Sequence, residues 1–423
     1  MEYSNIFSIY SVEHDLVLCH RDTELIKFKA SSLSGLDYVY TVYFVNEHAK
    51  ELLPFMYSDD MTVMNTSLKR WITLRPISTN REHISNILWS LGLDGVDPLK
   101  MLLVNYACSL NDCYWIKDIT CNINFSDVNL YHNKFDEALG YITFFGHKSS
   151  LGGNLVTPEI TTQGVLGKQW IQEDGQTNLY KKGSSGGANT GREPVTEYIA
   201  SLVAEEIGLP HIQYELLKYK GVLCTKCECF TSYDIGFISM EQLLYRKGYV
   251  DIRILGLSDI LKIVADINKD YADSLVDILI FDYIIENRDR HINNYGFLID
   301  NNTNNILSLA PIFDNGLSLH YSSMSGDYCL SNPGTYTETS PTGLTNMFIA
   351  SRLVEKRHVD MVMLLDKALH SDVFKAKVYN ALSMYYTDDT NLVDHYNAVI
   401  RLLQHRVSSV KLMYNMKVSN GNS

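Results

Sequence analysis

The sequence predicts an α+β protein in two lobes, a mixed antiparallel-sheet small lobe followed by a mostly helical large lobe, with an α/β extension in front. Three observations carry that expectation. Residues 157–235 alternate strand, loop, strand, helix, strand, strand. From Tyr249 onward apolar residues recur with a helical period, as in VDMVMLLDKALHSDVFKAKVYNALSMYY. The strand-like breaks in that half are GFLID and NILSLAPIFD, separated by the turn-forming NNTNN. The expected divisions are an N-terminal α/β accessory region at 1–95, a small lobe at 96–235 and a large lobe at 236–423.

The elements follow in order. FSIYSVEHDLVLCH and YVYTVYFV suit a pleated, half-buried surface. Asn80 to Leu91 reads as a helix capped by Ser78 or Thr79. PLKMLLV reads as helical, and the chain then turns at Asn111 and Asp112 into a short strand around Tyr114 and Trp115. Trp115 is expected to anchor the core. TPEITTQGVLGKQWI is a loop with Gly164, Gly167 and Lys168, leading to a strand around Trp170. A hairpin brings the chain to a strand ending at Lys181, and GSSGGANTG is a flexible loop. In EPVTEYIASLVAEEIGLP, Glu193 and Pro194 open a helix that Gly208 and Pro210 stop, with Val195, Ile199, Leu202, Val203 and Ile207 on one face. QYELLKYK and VLCTKCECF are strands joined at Lys220 and Gly221. The tail KVSNGNS is expected to fray.

Composition narrows the function class. The 423 residues allow about two or three domains. The net charge of −13 gives no global basic field to attract phosphate backbones, so direct nucleic-acid binding is not expected. The eight cysteines are scattered, and a chain of this length folds without disulfides, which points to a reducing cytoplasm. The N-terminus lacks a basic and then apolar targeting pattern. Apolar runs such as LVDILIFDYIIEN are broken by acidic residues, so no membrane span is expected.

The chemistry gathers in FDYIIENRDRHINNYG, Phe281 to Gly296. The apolar run Leu275 to Ile285 ends there in a polar cluster, and Asp314 ends another apolar stretch in LAPIFDNG. A carboxylate, an amide five residues on and a second carboxylate after a hairpin are what phosphoryl transfer needs. Asp289 would orient the acceptor hydroxyl, and Asn294 and Asp314 would hold magnesium through hard oxygens. The blander reading is an Asn-rich loop bonded only to its own backbone. His291 is a candidate at the bound cofactor, and a lone histidine more often fixes a loop by hydrogen bonding. Arg288 and Arg290 either neutralise phosphate or pair with acidic surface groups.

The strand order upstream has the parts of a nucleotide site. Gly164 and Gly167 let backbone N–H groups approach phosphates, with Lys168 beside them. Lys181, late on a strand, would reach the phosphates and pair with Glu197 on the following helix, with Glu193 as the fallback. Cys224, Cys227 and Cys229 lie close together, but on one extended strand without a convincing fourth zinc ligand. If that strand leads to a hinge, the backbone of Glu228 to Phe230 faces the adenine edge.

TTQGVLGKQW, LYKKG, EPVTEYIASLVAEEIGLP, NRDRHINNYG and LAPIFDNG together resemble HipA-like serine/threonine kinases, of the broader protein-kinase and phosphatidylinositol-kinase fold. The resemblance spans roughly residues 105–400 and implies a bilobal kinase using ATP and Mg2+. The family's Asp, then His two on, then Asn five on falls on Asp289, His291 and Asn294. Its metal-binding aspartate falls on Asp314, its nucleotide lysine on Lys181 and its helix glutamate on Glu197. Where HipA-type kinases carry a phosphorylatable serine before the loop glycine, this chain has Thr161 and Thr162, which makes them the candidate autophosphorylation positions, Thr161 first. The first hundred residues show no obvious sequence match to the N-terminal subdomain of HipA. The expected function is an ATP- and magnesium-dependent serine/threonine kinase acting on a protein substrate, with a toxin role beside an antitoxin partner as one option. The alternatives are a nucleotide-binding scaffold without transfer activity and a kinase for a phosphoinositide or other small molecule.

Overall fold

The computed structural model describes residues 13–33, 37–185, 191–323, 334–336 and 344–421. The chain adopts the expected α+β class, and every pairing specified between its strands is antiparallel. β1 (Glu13–His20), β2 (Thr23–Ser32) and β3 (Tyr38–Val45) form one sheet with the later β4 (Tyr114–Asp118), in the order β3-β2-β1-β4. Three helices intervene: α1 (Met61–Leu74), α2 (Ile84–Ser90) and α3 (Pro98–Val104). The sequence reading passes over α1, although Met64, Leu68 and Ile72 bury one helical stripe and Asp60 accepts the Thr62 N–H at 2.8 Å as its cap. α2 starts later than Asn80. Ser78 Oγ instead accepts the Asn80 N–H in a turn, and His83 at the N-cap takes left-handed backbone, φ 64°. Trp115 is the expected anchor, 1% exposed, with its indole N–H on the Arg21 carbonyl at 2.7 Å.

α4 (Phe125–Val128) and α5 (Glu137–Phe145) precede the hairpin of β5 (Lys168–Glu173) and β6 (Gln176–Lys182). α6 (Glu193–Glu206) follows, then the hairpin of β7 (Glu215–Tyr219) and β8 (Val222–Glu228). Residues 186–190 of the expected flexible loop lie outside the described residues. β9 (Ile235–Ser239), absent from the sequence reading, leads into α7 (Met240–Arg246). α8 (Leu257–Ile267) and α9 (Lys269–Ile285) come next. The expected hairpin is β10 (Gly296–Asp300) and β11 (Ile306–Leu309), and β10 also pairs with β9. The short β12 (Gly334–Tyr336) and β13 (Leu344–Asn346) pair, and α10 (Met347–Leu353), α11 (Lys356–Leu369), α12 (Asp372–Ser383) and α13 (Asp389–Ser419) close the chain. α13 carries the helix through Lys417 to Ser419, into the tail expected to fray.

The elements group into two compact units. The first comprises Met1–Lys181, Glu228–Val250 and Phe297–Leu307. Leu16 and Phe28 from its sheet pack with Leu68 of α1 and Leu103 of α3 in one core. The second comprises Lys182–Cys227, Asp251–Gly296 and Ser308–Ser423. Its core joins the expected face of α6 to Phe281 and Ile284 of α9 and to Leu403 and Val407 of α13. Each such side chain, fully buried, contributes about 1.5–3 kcal/mol. α6 also buries Thr196, Glu197 and Ser201, so more than its apolar stripe is covered.

Candidate active site

In the second unit α9 stops abruptly. Glu286 takes left-handed backbone at φ 56°, and the Asn287 N–H returns to the Asp282 carbonyl at 2.9 Å. The Asn287 side chain then orders the loop: its Nδ2 donates to Asp282 Oδ1 at 2.8 Å and its Oδ1 accepts the Asp289 N–H at 3.0 Å. Asp289 itself is half-buried. The Asn294 amide donates to the Asp289 carbonyl at 2.8 Å. That bond commits Nδ2 to the loop and fixes the orientation of the side-chain amide.

Arg290 holds the loop from beneath. It is 2% exposed and donates to both carboxylate oxygens of Asp282, to the Asn294 carbonyl at 2.6 Å, to the Phe313 carbonyl at 2.9 Å and to Asn315 Oδ1. Burial alone would lower its pKa, but the Asp282 carboxylate outweighs burial, and Asp314 and Asp289 add to it, so the guanidinium is held above its ordinary value. One cation therefore lies in the field of both candidate carboxylates. This corrects the sequence reading of Arg290 as a phosphate or surface contact. His291 is also a scaffold here: its Nδ1 accepts the Asn293 N–H at 3.2 Å, and its backbone N–H and C=O bond Asp289 and Asn294.

Asp314 follows Phe313 with left-handed backbone, φ 56°, and its N–H donates to the Tyr214 hydroxyl at 3.3 Å. Tyr214 was not among the residues singled out from the sequence. Burial, then the nearby Glu197 and Asp314 charges, push its phenol well above the usual range. Glu197 is 1% exposed on α6 and accepts from the Thr225 hydroxyl at 2.9 Å. The fallback Glu193 is engaged elsewhere, accepting from both the N–H and the hydroxyl of Ser184. Gly316 lets this strip lie on α6: a Cβ there would stand 3.1 Å from Glu193 Cβ, and its carbonyl accepts from the Thr196 hydroxyl at 2.6 Å.

The glycine loop belongs to the first unit, and neighbouring residues brace it closely. Arg81, 2% exposed, donates to the Gly164 carbonyl at 2.8 Å. Burial takes the Arg81 guanidinium down to about 10, against the opposing pull of Glu159 and Glu82. The Glu82 N–H donates to the Val165 carbonyl at 2.8 Å, and its carboxylate accepts the Gly167 N–H at 2.9 Å. Gly164 has φ 100°, and a Cβ there would meet Lys168 Nζ. Lys168 is buried and donates to the Gln163 carbonyl at 2.6 Å. Thr161, 4% exposed, donates to the Cys108 carbonyl at 2.8 Å. Thr162 donates to the Pro158 carbonyl and accepts the Trp170 indole N–H, both at 2.8 Å. Both hydroxyls are hydrogen-bonded within the chain.

Lys181 is buried near the end of β6, opposite Lys168 in the hairpin register. Beyond β8, the Cys229 N–H donates to the Thr177 carbonyl at 2.8 Å. The Phe230 ring packs edge-on against Phe237, centroids 5.5 Å apart. Cys224 and Cys227 lie within strand β8, as the strand reading expects.

Residues 151–356 match the profile of the HipA-like C-terminal domain. Over 136 residues the chain is 28% identical to serine/threonine-protein kinase CtkA of Helicobacter pylori strain J99. That match takes in 30% of this chain and 40% of the relative, so the chain spans less than half the length of the kinase it matches. The crystal structure of the proinflammatory kinase CtkA from Helicobacter pylori covers 60% of this chain and 95% of its own, at 17% identity and a TM-score of 0.47. HipA from the toxin–antitoxin system of Shewanella oneidensis MR-1, solved with HipB and operator DNA, covers 96% of this chain and 99% of its own, at 11% identity and a TM-score of 0.54. This last likeness is one of fold, and it runs over nearly the whole chain.

Proposed function

We propose that the chain is a phosphotransferase that moves the terminal phosphoryl group of ATP to a serine or threonine hydroxyl of a protein substrate, a reading supported by the match of residues 151–356 to the HipA-like C-terminal domain. The observation that carries this reading is the buried Arg290, which ties the loop bearing Asp289 and Asn294 to the strip bearing Asp314. Asp289 orients the acceptor hydroxyl and takes up its proton. Asn294 Oδ1 and the Asp314 carboxylate are hard oxygens suited to Mg2+, which takes the rest of its shell from water and phosphate. When bound there, the ion would supply charge neutralisation at the phosphate oxygens. Lys181 serves the nucleotide phosphates, and Glu197 is the helix glutamate of the same family pattern. Catalysis by such a set is positioning and electrostatics, with little covalent work for the protein.

The acceptor class rests on the likeness to a serine/threonine-protein kinase. A toxin role with an antitoxin partner rests on the fold shared with HipA, which was solved with HipB and DNA. A cytoplasmic location accords with the composition, and no helix among the described residues is long and apolar enough to cross a membrane. A scaffold that binds nucleotide without transferring phosphate is the second reading, and the joint presence of Lys181, Asp289, Asn294 and Asp314 favours transfer over it. Incubation of the full chain with radiolabelled Mg-ATP and a protein acceptor mixture tests the proposal. Label transfer by wild type and its loss in Asp289→Asn and Asp314→Ala are expected. Transfer retained in both variants overturns the assignment.

A further inference from the structure

The first unit contains a cavity of about 190 Å³ that no part of the proposed phosphoryl-transfer site uses. The Pro54–Ser58 segment, α1 and the end of α7 with the residues after it enclose it. Its walls are aromatic, from Phe55, Tyr57, Trp71, Tyr245 and Tyr249. Met56 lies across Gly248: a Cβ at Gly248 would stand 2.4 Å from the Met56 sulfur, so the wall closes there only because residue 248 is glycine.

The charges of this cavity are unbalanced. Two arginines line it and no carboxylate does. Arg75 is already neutralised, with two bonds to Asp112 at 2.8 and 2.7 Å. Arg70 is not. Its guanidinium lies 4.4 Å from the Tyr245 ring centroid, and it has no ion-pair partner among the described residues. A half-buried arginine stacked on an aromatic face keeps its N–H edges for an anion, and a carboxylate matches that fork.

We infer that this cavity binds a small one-ring carboxylic acid, with its ring among the aromatic walls and its carboxylate on Arg70. Size supports the class. A void of about 150 Å³ accommodates benzene, whereas pockets for drug-sized ligands run from about 300 Å³ upward. A nucleotide is too large and its phosphates too numerous for one free cation. The site is independent of the phosphotransfer reading and stands if that reading fails.

Calorimetric titration of the full chain with phenylacetate and with its neutral analogue phenylacetamide tests the inference. Saturable phenylacetate binding is expected, with a dissociation constant on the order of 0.1–1 mM for a ligand of this size. Phenylacetamide, and phenylacetate on Arg70→Gln, should each bind at least about tenfold more weakly, the loss of one charge-assisted contact. Ser67→Phe, which places a ring in the cavity, should abolish binding while the melting temperature stays near that of wild type. Failure of phenylacetate to bind wild type, equal binding of the amide, or unchanged binding by Arg70→Gln overturns the proposal. So does tighter binding, by more than about tenfold, of a short peptide ending in phenylalanine, which would make the cavity a docking site for a protein tail. Concentration-dependent dimerisation abolished by Ser67→Phe would assign it to a second copy of the chain and likewise overturn the proposal.

Discussion

Arg290 Nε and Nη2 each stand 3.0 Å from a carboxylate oxygen of Asp282, and both side chains are sealed from solvent. Removing one partner strands the other charge in the interior. Arg290→Met should therefore cost about 3–5 kcal/mol of unfolding free energy. The double variant Asp282→Leu/Arg290→Met should recover part of that loss, because no lone charge remains. Denaturant unfolding of the three proteins measures both. An additive double variant would mean the pair is not coupled.

For the chemical step, Asp289→Asn keeps the shape of the side chain and removes its ability to take a proton. Turnover should fall at least about a hundredfold, the scale of a lost general base. Asn294→Ala should raise the magnesium concentration needed for half-maximal rate, since it removes a proposed ligand together with that side chain's bond to the Asp289 carbonyl, while the Asp289 carboxylate stays in place. A variant Asn294→Ala with an unaltered magnesium dependence would dismiss that role.

The Glu82 carboxylate occupies the Gly167 N–H at 2.9 Å, a position a nucleotide phosphate would otherwise seek. Glu82→Gln weakens the competitor without emptying the space. The KM for ATP should fall about threefold to tenfold, in keeping with the loss of a charge-assisted hydrogen bond. An unchanged KM in steady-state assays would show that the Gly167 amide takes no part in nucleotide binding.

Thr161 donates into the interior, to the Cys108 carbonyl. Phosphorylation there requires the turn at Glu159–Thr161 to open. Peptide mapping after incubation with Mg-ATP should find Thr161 unmodified in the folded protein. Stoichiometric phosphate on Thr161 would instead show that the loop opens during turnover.

Acid stability carries a signed expectation. Burial lowers both His20 and His395 from 6.5 to about 4. Between those values the unfolded chain binds protons that the folded chain excludes, so stability rises with pH. Their contribution is complete above 6.5 and is lost as pH falls toward about 4. Each residue adds a slope of up to about 1.4 kcal/mol per pH unit. Melting temperatures taken from pH 7 down to 4.5 should drop, and His395→Gln should flatten the decline. A pH-independent melting temperature would contradict the buried, neutral assignment.

The residues themselves determined the α+β class, the apolar face of α6 and the hairpin at Gly296–Leu309, because helical period, strand alternation and turn chemistry are local properties. The spacing of Asp289, Asn294 and Asp314 was equally visible, since the proposed chemistry calls for such side chains at short range. α1 was not read although Met64, Leu68 and Ile72 keep a helical spacing, and β9, only five residues long, is too short to display a period. Tertiary structure alone decided which charges are structural. Nothing local distinguishes Arg290 from Arg288, yet Arg290 is sealed against Asp282 while Arg288 remains half-buried. Lys168 likewise carries the sequence signature of a phosphate contact and is turned inward by Gly164 and the Gln163 carbonyl. The Glu82 carboxylate on the glycine loop and Arg70 at the aromatic cavity depend on residues 85 and 175 positions apart, respectively, Glu82 with Gly167 and Arg70 with Tyr245. Burial sets the strength of a charge, and burial is a property of the packed chain.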